Sequence, residues 1–203
     1  MLEKIKEKLL FTRLARKNKA AFDEFYVLYA DRMYQYIYYK VNSKEDAEDL
    51  TSAFFLKIWG LAREGKIDEA KTFKPFLYTV ARNIVIDHYR KRNQRETISL
   101  DLHAGREMET EKATVKDFIA DEKIDLPAGA DKIFEIDRIR EKLFELKDEY
   151  REVIVLKYLD ELEPKEIAAI LGKSKGSVNV LAHRAVKALR ELVEKSDQLK
   201  ITN

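Results

Sequence analysis

The chain has 203 residues, 37% charged and 45% hydrophobic, with 39 Lys and Arg against 37 Asp and Glu. That apolar content supports one large or two small cores, and six Gly with three Pro suit a mostly helical fold with few tight turns. The absence of Cys excludes a disulfide framework and thiolate metal sites, and charges interspersed through the first 19 residues exclude a secretory signal or spanning helix there.

The first 18 residues carry no motif. Phe22, Phe25, Tyr26, Tyr29, Met33 and Ile37 follow helical spacing, which predicts an amphipathic helix over 19–41, with Tyr34 and Tyr38 also packing. Ser43 with Asp46 reads as an N-cap with an acid at its third position. Ala47, Leu50, Phe54 and Ile58 continue a second helix to about Trp59, and Gly60 and Gly65 bracket a loop. Thr72 and Pro75 mark the next start, with Leu77, Val80, Ala81, Ile84 and His88 as the buried stripe.

That helix ends in a basic cluster. Arg82, Arg90, Lys91, Arg92 and Arg95 stand against one acid, Asp87. Such a cluster suits a solvated helix end favoured by the macrodipole. It equally suits a polyanion, because Arg82 and Asn83 can hydrogen-bond bases or phosphates. Phe73 and Tyr78 are rings on which unpaired bases can stack, although either ring alone suits a core.

Residues 96–131 break the pattern. "TISLDL" alternates at period two, and Glu96 to Leu126 holds nine acids against four bases, which predicts a partly extended acidic tether. A second helical set follows, through Ile133, Ile136, Ile139 and Leu143, then Tyr150, Val153 and Ile154, then 164–171 and 175–193. Within it, "PKEIAAILGKSKGSVNVLAH" has the helix-turn-helix pattern: Pro164 starts a helix, Ala168 permits a close crossing, and Gly172 suits a left-handed corner. From Gly172 to Arg190 there are five bases and no acid. The second helix would present Lys175, Ser177 and Asn179, then His183 and Arg184, to a major groove. The fold class is therefore all-α: two small helical domains, 1–95 and 132–203, joined by an extended acidic linker, 96–131.

Three stretches in this order, "DAEDLTSAFFLKIW" (46–59), "FKPFLYTVARNIVIDHYRKR" (73–92) and "HRAVKALREL" (183–192), resemble a bacterial sigma factor of the extracytoplasmic-function (ECF) group. The resemblance implies a first domain equivalent to sigma region 2, which binds core RNA polymerase and melts the minus-ten element. It implies a second equivalent to region 4, which reads the minus-thirty-five element. Carried over by position, Asp46, Glu48, Asp49, Phe54 and Trp59 would meet polymerase. Arg63, Phe73, Lys74, Tyr78, Arg82, Asn83, Arg90 and Arg92 would handle minus-ten DNA, with Asn83 helping to capture a flipped base. Lys175, Ser177, Asn179, Val180, His183 and Arg184 would face minus-thirty-five DNA.

The chain departs from the group's usual pattern at Ser52, Phe76 and Leu181. The resemblance further implies promoter DNA, core RNA polymerase and an anti-sigma factor as partners, and a cytoplasmic location without membrane insertion. It implies no cofactor, metal or catalytic residue. The rival reading is a helix-turn-helix regulator that acts on duplex DNA without polymerase, which leaves the acidic motif and residues 73–92 unexplained. An enzyme has less support still, since no nucleophile–base pair is legible among the three dispersed His.

Overall fold

A computed structural model of the protein describes residues 2–67, 73–99 and 140–201. All regular structure among the described residues is helical. The helices are α1 (Leu2–Ala15), α2 (Lys19–Tyr38), α3 (Lys44–Arg63), α4 (Phe73–Ser99), α5 (residues 140–145), α6 (Asp148–Ile154), α7 (Pro164–Leu171) and α8 (Lys175–Ile201). A π-helical turn, Val155–Leu159, prolongs α6.

Local chemistry explains the helix starts. The Asn18 side chain accepts from Ala21 N–H at 3.0 Å and caps α2. Ser43 accepts from Asp46 N–H at 3.0 Å and caps α3, as its sequence predicts. Ser174 does the same for α8 through Ser177 N–H at 3.1 Å. Pro164 opens α7, and Gly172 closes it at φ 64°, a left-handed conformation that costs glycine little.

The first core is aromatic. Phe25 on α2 sits 5.4 Å from Phe55, 6.5 Å from Phe54 and 6.0 Å from Phe73, measured between ring centroids. Phe11 on α1 lies 4.5 Å from Phe73. Leu10, Phe11 and Leu14 bury the inner face of α1, so the motif-free N-terminal stretch completes a four-helix unit. The second core gathers Leu143, Val153, Leu156, Ile167, Val178 and Ala185 around the helix-turn-helix.

Several expectations change. Gly60 lies inside α3 and does not open a loop; the chain turns later, at Gly65 with φ 69°. Tyr26 is half exposed, whereas Tyr36 is fully buried. Tyr78 and Val85 are buried on α4, while Val80, Ile84 and His88 are only half-buried. The cause is a second packing partner: α4 meets α7 as well as α2 and α3, so two of its faces are covered. Residues 97–99 continue α4 and are not the start of an extended strand, because extending an existing helix adds a hydrogen bond per residue fixed. The rest of the predicted tether, and Thr72, Ile133, Ile136 and Ile139, fall outside the described residues.

Candidate nucleic-acid and polymerase interface

The predicted polymerase-facing residues all lie on α3, from Asp46 in its first turn to Trp59 near its end, but do not share one environment. Asp49 and Glu48 project into solvent, Glu48 loosely paired with Lys44 at 3.8 Å. Asp46 turns toward α4, with Oδ1 3.8 Å from His88 Nε2. Phe54 is fully buried, and Trp59 is half-buried against Phe22 at 4.9 Å. The open part of this surface is therefore the acidic first turns, where the helix dipole also favours carboxylates.

Helix geometry divides the predicted minus-ten residues. Residues seven apart lie near one face, which puts Asn83 and Arg90 together on the exposed side of α4. Arg90 makes a surface ion pair with Asp87 at 3.1 Å. Arg63 and Arg92 are also exposed. Phe73 and Tyr78, in contrast, belong to the interior. Lys74 is half-buried and reaches Glu7 of α1 at 3.5 Å. Arg82 points away from Asn83, toward the second domain. On α8, Val178, Ala182 and Ala185 face inward, leaving Lys175, Ser177, His183 and Arg184 exposed and Asn179 and Val180 half-buried.

Sequence reasoning missed the residues where the domains meet. Glu152 on α6 accepts from the Tyr36 hydroxyl at 3.1 Å, pairs with Lys40 Nζ at 2.8 Å and with Arg82 Nε at 3.1 Å. Burial raises its carboxyl pKa, but Lys40 and Arg82 more than offset this, so it lies below the ordinary value. Arg140 on α5 donates to the carbonyl oxygens of Val41 at 2.7 Å and Tyr38 at 3.2 Å, and stacks on the Tyr38 ring at 4.1 Å. It thus satisfies acceptors left open at the end of α2. In sequence, Glu152 and Arg140 look like ordinary helix charges; only the long-range packing distinguishes them.

The chain matches the family description "Sigma-70 region 2" over residues 25–95 and "Sigma-70, region 4" over residues 136–189. It is 32% identical to the ECF RNA polymerase sigma factor SigW of Bacillus subtilis, over 88% of this chain and 92% of SigW. The chain belongs to the ECF sigma factors. BldN of Streptomyces coelicolor, another ECF sigma factor, is 32% identical over 85% of the chain, which spans only 60% of BldN. The solved structure of CnrH in complex with the cytosolic domain of CnrY has the same fold, with a TM-score of 0.66 at 21% identity, covering 93% of this chain and 97% of CnrH.

This ECF sigma factor places the region 2 match on α2–α4 and the helix-turn-helix inside the region 4 match. The contact between them contains Asp160, just after the π turn. Burial pushes its carboxyl up to about 7, against the partial relief of Tyr78 on α4 and Arg32 on α2. The Tyr78 hydroxyl and Asp160 Oδ2 are buried without a well-formed hydrogen bond. Tyr36 on α2 also faces this carboxylate.

A raised pKa in the docked state means that docking takes up a proton. Docking is therefore favoured at low pH and loses strength as pH rises from the ordinary carboxyl range through about 7. The expected result is a weaker interdomain contact at pH 8 than at pH 5.5, with Asp160→Asn flattening that dependence. Interdomain distance measured across this range checks it; an unchanged slope in the variant contradicts it.

Proposed function

We propose that this sigma factor directs core RNA polymerase to specific promoters and opens them. The observation that supports this most is the pairing, in one chain, of a region 2 match and a region 4 match in that order, with exposed Asn83 on α4 and an acid-free stretch around the start of α8. Asp46, Glu48 and Asp49 bind the basic surface of polymerase. Arg63, Asn83, Arg90 and Arg92 hold the melted minus-ten strand, while Lys175, Ser177, Asn179, His183 and Arg184 contact the upstream duplex. Phe54, Phe73 and Tyr78 act by shaping these surfaces, in keeping with their burial.

The protein works by binding, without turnover or cofactor, in the cytoplasm where polymerase resides. Among the described residues no helix is long and apolar enough to cross a membrane. An inhibitory protein partner follows by likeness to CnrH, whose solved structure is a complex with the cytosolic domain of CnrY. A regulator acting on duplex DNA alone would leave the region 2 match without a task.

Asn83→Ala tests the opening step. The variant should bind polymerase and form closed complexes normally, yet show little permanganate reactivity in the melted strand. Extruding a base costs a few kcal/mol of stacking, which the Asn83 contact helps offset. A pre-melted template should restore much of the activity. Wild-type opening of duplex promoter by the variant would contradict base capture.

A further inference from the structure

Arg82 and Asn83 are neighbours in sequence with opposite fates. Asn83 is exposed, but the Arg82 guanidinium is held by Glu152, a carboxylate from the other domain whose side chain is only 7% exposed. A carboxylate offers an arginine the same charged oxygen acceptors as a phosphate. Glu152 therefore occupies Arg82 with the chemistry a DNA backbone would use.

The docking surface is built for this fit. Residues eight apart in a continuous α-helix are displaced by roughly 80°. Between Glu152 and Asp160 the helix widens: Asp160 N–H donates to Val155 O, five residues back, at 2.9 Å. A wider turn rotates each residue less. Glu152 and Asp160 consequently address one surface, formed by Tyr36 on α2, Tyr78 and Arg82 on α4, and Lys40 just after α2. Arg140 fastens the same domain to the end of α2 from α5. Tyr36, Lys40 and Glu152 are largely buried in this cluster, and Arg82 closes it at the edge with its side chain 32% exposed.

We propose that the second domain closes this sigma factor on itself: Glu152 and Arg140 latch it onto α2 and α4, Arg82 is withheld from DNA in that state, and separation of the domains releases it. The value of releasing Arg82 rests on the promoter-opening function proposed above, whereas the latch itself stands on geometry alone. The buried polar contacts also suit a reversible latch. A hydrophobic isostere can hold as firmly, but charged groups regain hydration once exposed.

The native chain has no Cys, so Lys57→Cys on α3 and Lys187→Cys on α8, both at exposed positions, place two labels uniquely. Distance distributions and arginine modification by phenylglyoxal are measured on the free, full-length protein, without polymerase or DNA. The latch predicts one narrow short distance and slow modification of Arg82 relative to exposed Arg63. Glu152→Ala leaves Lys40 and Arg82 without their buried partner, so the open fraction should rise roughly a hundredfold or more, with faster Arg82 modification.

Arg140→Ala should open the protein as well while replacing no residue of the Glu152 cluster, so the latch remains testable if Glu152→Ala fails to fold. Circular dichroism confirms helix content in each variant. A broad, long distance in the wild-type protein would overturn the latch. So would Arg82 modification as fast as that of Arg63, or an unchanged distance in both folded variants. Failure of Asn83→Ala to impair opening would refute the promoter reading but leave these measurements unaffected.

Discussion

Asp49→Arg should eliminate association with core RNA polymerase while preserving helix content. Asp49 projects from the second turn of α3 into solvent, so its replacement disturbs no packing. It does reverse one charge in the acidic surface that the proposed function aims at basic polymerase residues. A like-charge juxtaposition in an interface costs several kcal/mol, equivalent to more than about a hundredfold in Kd. Asp46 would be the poorer choice, since it also faces His88 on α4 and its loss would perturb that contact. Pull-down with core enzyme is the check. A folded Asp49→Arg protein retained at the wild-type level would remove this surface from the account.

The second large effect belongs to Phe25→Ala. The ring is fully buried, with Phe22, Tyr29, Phe54, Phe55 and Phe73 around it. Truncating a buried Phe removes its transfer free energy and leaves a cavity, a loss of about 3–5 kcal/mol. Small domains are stable by only about 5–15 kcal/mol. Unfolding of the first domain should thus shift down by on the order of 10–40 °C. Phe73 opens α4, so the loss also loosens the helix that carries Asn83. Promoter opening should fail at a temperature where the second domain, whose helices pack mainly on one another, still contacts duplex DNA. Calorimetry with a binding assay for upstream DNA checks both parts; a melting temperature within about 3 °C of wild type would contradict the packing argument.

Local features were legible in the sequence. The Ser43 cap, the Pro164 start and the Gly172 corner depend on residues a few positions apart, so their chemistry shows in a short window. The helix α1 was harder, because charges dominate its sequence and its buried face reduces to Leu10, Phe11 and Leu14. Gly60 misleads for an energetic reason. A helical glycine costs about 1 kcal/mol relative to Ala, and buried Ile58 and Ala62 on either side offset it.

The exposed parts of the candidate site follow from helical spacing on α4 and α8. The occluded parts do not. Tyr78 and Arg82 read as DNA-facing because nothing local reveals that another domain covers them. Glu152 lies 70 residues from Arg82 and 116 from Tyr36, separations at which no periodicity carries information.

Reconstituted transcription tests promoter direction by this protein most directly. Core RNA polymerase from the same cell is mixed with genomic DNA fragments, with and without the purified protein, and transcript 5′ ends are mapped. Start sites should appear only with the protein and share two upstream elements at fixed spacing. They should be lost with Asp49→Arg and weakened with Asn83→Ala. Duplex binding by the protein alone with no new start site from core polymerase would contradict promoter direction.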